Sequence, residues 1–470
     1  MSRNTNLADR LLADEPALIS SLEFGSYVAQ GTGTGPSLLI GDMSQISLMQ
    51  AAGASFLDYR MAHLAKAGDL VLVARRDPSF EAYLADARGL NDITFLTPGT
   101  PNGNAVTMNA ITDNQVQKTL VATAREHGGL TIKSYLTTTT TWRLARTIGR
   151  AAGCKIHVSG PSPRLSKRAN DKLWFTRLAR GVIGTDAVPP TMSAYGPGAA
   201  AAIALRYGKT GQDVIVKVPN SAGSAGNIRI QSDLFAHPSQ ERLKDLIMDR
   251  LHATGWADHY PILVGVWDKD VTNSPSVQLW IPLAEDGPPT ALEVFEQKVL
   301  GQMGLFVGAV RSTLPHAIQI DLATQAIRIA EVLQRLGYYG NCSLDSVICR
   351  QDDGSTRIHW IECNGRWTAV SIPLKALNTI PSDTPPSGMV VVQQSLQGPA
   401  IDAAQAAQAL DGVLYRHRPG AAQPEGVILL SPPNGARGLV ANLLVFASSQ
   451  AEADKLTATA LQRLRNRPTN

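Results

Sequence analysis

Residues 214–230 read VIVKVPNSAGSAGNIRI: an apolar run with one lysine, a loop of small residues, then apolar alternation again. A phosphate loop of the Walker kind runs from a strand into a helix and ends in Gly-Lys-Ser/Thr. Here the lysine precedes the loop and a period of two resumes after it, so the loop joins two antiparallel strands. On the first strand Ile215 and Lys217 share one face, and Val214, Val216 and Val218 share the other. Ser221, Gly223, Ser224, Ala225 and Gly226 carry small side chains or none, so their N–H groups can close on an anion and the serine hydroxyls can add donors. A surface hairpin with a solvated lysine would read the same way, and this stretch alone does not separate the two.

A second hairpin is written in LDSVICRQDDGSTRIHWIECN, residues 344–364, with its turn at Asp353-Gly354. Strict alternation on the return strand puts Ile358, Trp360, Glu362 and Asn364 on one face and His359 on the other. Asp345, near the start of the opposing strand, can meet Glu362 and Asn364. Two carboxylates and an amide oxygen form a hard-oxygen set that suits Mg²⁺. A solvated hairpin end fits less well, because the flanking residues are apolar and a buried carboxylate pair without a cation is costly. A third stretch, NDKLWFTRLA, starts at residue 170. Asn170 or Asp171 can cap a helix, which leaves Lys172 in the first turn, where a cation is unfavourable unless an anion lies near.

The chain has 470 residues, enough for two to four domains. A net charge of +4, part of it in the C-terminal LQRLRNRPTN, gives little support for nucleic-acid binding. No apolar run approaches the ~20 residues of a membrane span, and the polar, acidic start does not read as a signal peptide. The four cysteines form no C-x-x-C pair. Cys349 and Cys363 could face each other across the hairpin, but buried free thiols, and with them a cytoplasmic setting, are the expectation. SLLIG, DLVLVA, LTIKSYL and KIHVSG alternate with helical stretches, which predicts a parallel α/β layer. GTGTG at 31–35 precedes its strand instead of following it, so it reads as an entry loop and not as a dinucleotide fingerprint. The threonine run 137–141 reads as a loop ending in a helix cap at Thr141, and residues 160–170 and 378–388 read as linkers.

Asp-Lys at a helix start, a lysine before a small-residue hairpin loop, an apolar hinge, then Asp and Glu-x-Asn occur here in that order. The chain resembles the ATP-grasp ligases over residues 166–384. NDKLWF, SPSVQLWIP and ECNGRWTAVSIP are most similar to the peptide ligases related to the pheganomycin-forming enzyme. The resemblance implies an α/β and α+β multidomain fold: a pre-ATP-grasp α/β domain at 1–165, a two-lobed ATP-grasp core at 166–384 and a small C-terminal α+β domain at 385–470. It implies ATP and Mg²⁺ as cofactors. Lys172, Lys217 and the loop from Ser221 to Gly226 would meet the phosphates. Backbone groups of Val266 and Trp267, in ILVGVWDKD, would meet adenine. Asp345, Glu362 and Asn364 would hold the metal, and Arg366 would lie near the reacting phosphate. Where many relatives have a hinge glutamate this chain has Gly265, which leaves Asp268 or Asp270 to bind ribose. Where many have an arginine two residues before the metal aspartate it has Ser343, and Arg311 would supply the missing cation. The implied reaction is ATP-dependent joining of a small carboxylate to an amine or peptide. A ligase for single amino acids or another small acid, or an inactive nucleotide-binding regulator, are the alternatives. Homo-oligomerisation is left open.

Overall fold

In the first third of the chain, apolar runs buried on both faces build a parallel sheet, as they do wherever crossover helices cover both sides. The computed structural model describes residues 3–15, 18, 24–46, 54–103, 105–221, 226–236, 239–301, 304–351, 353–381, 385–418, 423–435 and 438–466. The sheet has six strands in the spatial order Val28–Gln30, Lys155–Val158, Gly129–Ser134, Ser37–Ile40, Asp69–Leu72 and Ile93–Leu96. GTGTG connects two strands of this sheet and opens no helix. Gly33 is needed there, because a Cβ would fall 2.0 Å from the His157 ring. The threonine run does enter a helix, Thr139–Ala152, but the cap is Thr138. Thr141 instead accepts a hydrogen bond from the Thr138 N–H at 3.2 Å. Residues 160–170 are not an open linker: Ser162 caps a short helix, Pro163–Ala169.

The lysine stretch folds as expected, in a four-stranded antiparallel sheet ordered Thr191–Ala194, Ile262–Val266, Val214–Lys217, Asn227–Ile230. Val214, Val216 and Val218 pack with Ile228 and Ile230 beneath the helices Pro197–Gly208 and Gln240–Ala253. A larger antiparallel sheet carries the second hairpin, with Gly340–Arg350 between Pro275–Ile281 and Thr356–Asn364. Helix His316–Arg335 covers it, burying Leu322, Ala326, Ile329 and Leu333 against Val277, Leu279, Leu344 and Trp360. The strands Gly388–Ser395, Gly438–Ala447 and Gly426–Leu429, from the C-terminal segment, continue this same sheet. They also share a core with the parallel layer, in which Leu39, Val71 and Phe80 meet Val427, Leu443 and Leu464.

All four cysteines are free. Cys363 does not face Cys349. Its register partner is Leu344, and its sulfur lies 3.4 Å from that of Cys342. Among the described residues, no helix is long and apolar enough to cross a membrane.

Candidate active site

Lys217 ends its strand opposite Asn227, with Ile215 beside it on the face turned away from the valines. Burial pulls its ammonium down to about 8, against Glu362, which acts to raise it. Of the loop that follows, Gly223, Ser224 and Ala225 lie outside the described residues. Gly226 closes the loop with φ +78°, a conformation that favours glycine. Ser221 is buried; its hydroxyl donates to the Val218 carbonyl at 2.9 Å, and its own carbonyl accepts from Lys172 Nζ.

Asp171 caps the helix Lys172–Val182, accepting from the N–H groups of Leu173 at 2.8 Å and Trp174 at 3.2 Å. This fixes Lys172 as the first helical residue, 5% exposed, with Nζ 2.9 Å from Glu362 Oε2. A carboxylate therefore offsets the unfavourable position of the cation at the helix start.

Asp345 and Glu362 are register partners, as the sequence predicts, but the facing of their neighbours differs from strict alternation. The register slips by one between Asp345 and Ser346, so that Ser346 pairs with Trp360 and Ile361 is the extra residue of a bulge. Trp360 thus packs in the core, while His359, paired with Val347, joins the face that carries Glu362. The expectation that Trp360 shares that face and His359 opposes it is corrected by this one residue. Ser276 donates to Asp345 Oδ1 at 2.7 Å, and Asn364 Nδ2 donates to Oδ2 at 2.9 Å. Burial first, then the charge of Glu362, pushes Asp345 up to about 6. Burial also acts to raise Glu362, but Lys172, with help from Arg366 and Lys217, holds it below the usual carboxylate range. Asn364 offers its amide oxygen to Arg366 Nη2 at 2.6 Å, while Arg366 Nη1 donates to the Asn170 oxygen.

The hinge also differs in detail. The N–H groups of Val266 and Trp267 are both used, donating to the carbonyls of Pro190 at 2.9 Å and Asp213 at 2.8 Å. Pro190 has no N–H to return, so the Val266 carbonyl lacks the ladder donor that any other residue would give it. The Arg229 guanidinium lies 4.9 Å from the centroid of the Trp267 ring and is ion-paired to Asp213. Both oxygens of Asp268 lie 3.0 Å from His359 Nδ1.

Lys172, Lys217, Val266, Trp267, Asp268, Asp345 and Glu362 line one cleft of about 680 Å³ between the two antiparallel sheets. Asp270 lies on its wall as well. Arg311 does not. Its Nε lies 3.0 Å from Glu293, and its Nη1 donates to the carbonyls of Pro386 and Ser387, so it serves as a structural tie. The sequence reading missed Ser276, Gln278, Asn170 and His359. The first two had a signal: polar residues at alternate positions in SPSVQLWIP, a strand otherwise apolar enough to be buried.

The family model of the pre ATP-grasp domain matches residues 58–150. Among curated proteins no sequence matches. The structure is similar to biotin carboxylase from Campylobacter jejuni in its complex with βγ-ATP, with 14% identity, TM-score 0.55, and coverage of 92% of this chain and 91% of that one. It is similar to the biotin carboxylase domain of Hydrogenobacter thermophilus 2-oxoglutarate carboxylase, solved with MgADP and bicarbonate, with 13% identity, TM-score 0.55 and coverage of 92% and 90%. It is also similar to N5-carboxyaminoimidazole ribonucleotide synthetase from Thermus thermophilus, with 14% identity, TM-score 0.52 and coverage of 88% and 98%. At these identities the likeness concerns the fold, which is the ATP-grasp fold preceded by its α/β layer.

Proposed function

We propose that the protein is an ATP-dependent ligase that joins a carboxylate to an amine, forming an amide or peptide bond and releasing ADP and phosphate. The observation that carries this reading is the convergence of two lysines and a register-paired carboxylate couple on one cleft. That the similar structures hold ATP compounds, MgADP and bicarbonate supports it.

The donor set fits Mg²⁺. Asp345 and Glu362 are hard oxygen ligands brought side by side in a buried setting, where burial first and the neighbouring Glu362 second act to raise Asp345, so a cation there would be favoured. Asn364, whose amide oxygen accepts from Arg366 here, would be the third residue to hold the ion. Bound there, Mg²⁺ supplies charge neutralisation on the phosphates. Lys217 and Lys172 take up phosphate charge, and Glu362 keeps Lys172 in place. Ser221 and Gly226 flank the phosphates at the two ends of the hairpin loop. The Val266 carbonyl accepts from the adenine amino group, and Trp267 gives the base an apolar flank. Asp268, steadied by His359, accepts from a ribose hydroxyl.

A carboxylate is a poor electrophile and needs activation. Its oxygen attacks the γ-phosphorus of ATP while the bond to the β–γ bridging oxygen breaks, giving an acylphosphate and ADP. The amine nitrogen then attacks the acyl carbon, the bond to the phosphate oxygen breaks, and the proton lost by the amine leaves with the departing phosphate. Arg366, held by Asn170 and Asn364, would meet the negative charge of the acid and of the transferred group. Four free thiols suit a reducing cytoplasm. A place in the biosynthesis of a small peptide-like metabolite follows from the resemblance to the pheganomycin-type enzymes. Incubation with ATP, Mg²⁺ and a panel of acids and amines is expected to release ADP and phosphate in step with amide formation, read by mass spectrometry. Release of AMP and pyrophosphate would overturn the acylphosphate route, since that pattern belongs to adenylation.

A further inference from the structure

A second cleft, of about 390 Å³, shares no lining residue with the first, and of its walls only Asn170, Ser221 and Arg366 enter the reading above. Thr137, Thr138 and Thr139 of the parallel layer line one side of it. Lys167 and Asn170 line another, and Asn220, Ser221 and Arg366 close it. Two of these residues form the partition with the nucleotide cleft. The Ser221 carbonyl accepts from Lys172, which pairs with Glu362. Arg366 bonds Asn364, which bonds Asp345. A group held against Arg366 in the second cleft therefore lies one side chain away from the residues that would hold the phosphates.

The charge in this cleft has one sign. Lys167 is exposed at its wall and has no ion-pair partner among the described residues. The guanidinium of Arg366 spends two of its nitrogens on amide oxygens, and its buried Nε has no partner among the described residues. Among the described residues, none that lines the cleft is Asp or Glu. Hydroxyl and amide groups supply the rest of the polar lining. Such a cleft attracts an anion and has no counter-charge for an ammonium group, which would be desolvated beside two cations.

We propose that this second cleft is the subsite of the acid substrate, and that it selects a small polar carboxylate whose amine is absent or acylated, over a zwitterionic amino acid. The proposal rests on the ligase reading. It deepens that reading by assigning the acid to the threonine-lined side and leaving the amine to enter from elsewhere. A volume of about 390 Å³ lies in the range of ordinary small-molecule sites.

Two matched pairs of acids test it: succinate against β-alanine, and N-acetylalanine against alanine. The full chain is assayed with ATP and Mg²⁺, with hydroxylamine as the amine, reading ADP and hydroxamate. Binding of each acid and of ATP is measured separately by calorimetry. Succinate and N-acetylalanine are expected to exceed their zwitterionic partners by about tenfold or more in kcat/KM, the scale of one charged contact. Lys167→Met and Thr139→Val should each raise the KM of the acid several-fold and leave the affinity for ATP unchanged. Lys167→Glu should reverse the preference within each pair. Equal or better use of the zwitterions overturns the proposal, as does an acid KM untouched in all three variants, or ATP binding without ADP release from any of the four acids. Absence of ATP binding would instead sink the ligase reading. In that event acid binding that is lost in Lys167→Glu still supports an anion subsite, and acid binding that is unaffected removes it.

Discussion

Glu362→Gln is expected to lower ligation on the order of a hundredfold or more, the scale seen when one preorganised electrostatic group is removed from an active site. The variant keeps size and shape and loses one negative charge. Two consequences follow from where that charge sits. A hard cation beside Asp345 loses a charged ligand in a partly dehydrated cleft, where electrostatic effects exceed those in water. Lys172, 2.9 Å away and nearly buried, loses its counter-ion. Relief of repulsion with Asp345 would by itself stabilise the unliganded variant. Against it stand Lys172, Lys217 and Arg366, all of which interact favourably with the carboxylate. Burial, the largest single influence, also opposes the charge, yet the three cations together still hold Glu362 below the usual carboxylate range, so the unliganded fold should lose stability, on the order of 2 kcal/mol, with the amide oxygen still accepting from Lys172. Denaturant unfolding reads the loss of stability. The gain in melting temperature on adding Mg-ATP reads the loss of the metal ligand and should shrink with affinity. Near-normal ligation by a well-folded variant would show that Glu362 only anchors Lys172, and the metal assignment for the hairpin would fall with it.

What the sequence makes legible here follows periodicity. The valine face of the lysine strand and the parallel first layer come from residues spaced by two or by three to four. The pairing of Asp345 with Glu362 rests on the extra Ile361, since the register of Ser346 with Trp360 would otherwise set Ile361 opposite Asp345. The misses occur where a single residue breaks the period or where the third dimension decides. The extra Ile361 carries His359 onto the cleft face, and nothing in RIHWIECN marks a bulge. Motif order points Arg311 at the site, but its side chain meets Glu293 across the strand pair, and a contact between residues distant in sequence leaves no local trace. The hinge shows a mixed case. Its place is readable, whereas the use of the Val266 and Trp267 N–H groups depends on Pro190 and Asp213, far away along the chain. The threonine run reads as a helix entry. That it also lines a cleft with Arg366 depends on packing between the parallel layer and the large sheet, which no local pattern encodes.

Lys217→Met should weaken ATP binding by about tenfold to a hundredfold, since it deletes a charge-assisted contact to phosphate and keeps most of the apolar stem. A sharper signature lies in the pH dependence. Burial lowers the Lys217 ammonium to about 8 in the unliganded protein; Glu362 and Asp268 act to raise it and Lys172 to lower it. A polyanion binds the protonated lysine better, so the affinity of the parent for ATP should decline as pH rises above about 8, and that limb should be absent from the methionine variant. Stability without ligand has the opposite sign. The folded-state value lies below the unfolded value of 10.5, so between about 8 and 10.5 the unfolded chain binds more protons and this group's contribution to stability rises with pH. Calorimetric titration across pH 7 to 10 and denaturant unfolding over the same range check the two signs in one protein. Parallel pH profiles for parent and variant would show that Lys217 is not a phosphate contact, because a lysine that merely fills the wall of the cleft could produce the stability trend but not the loss of nucleotide affinity.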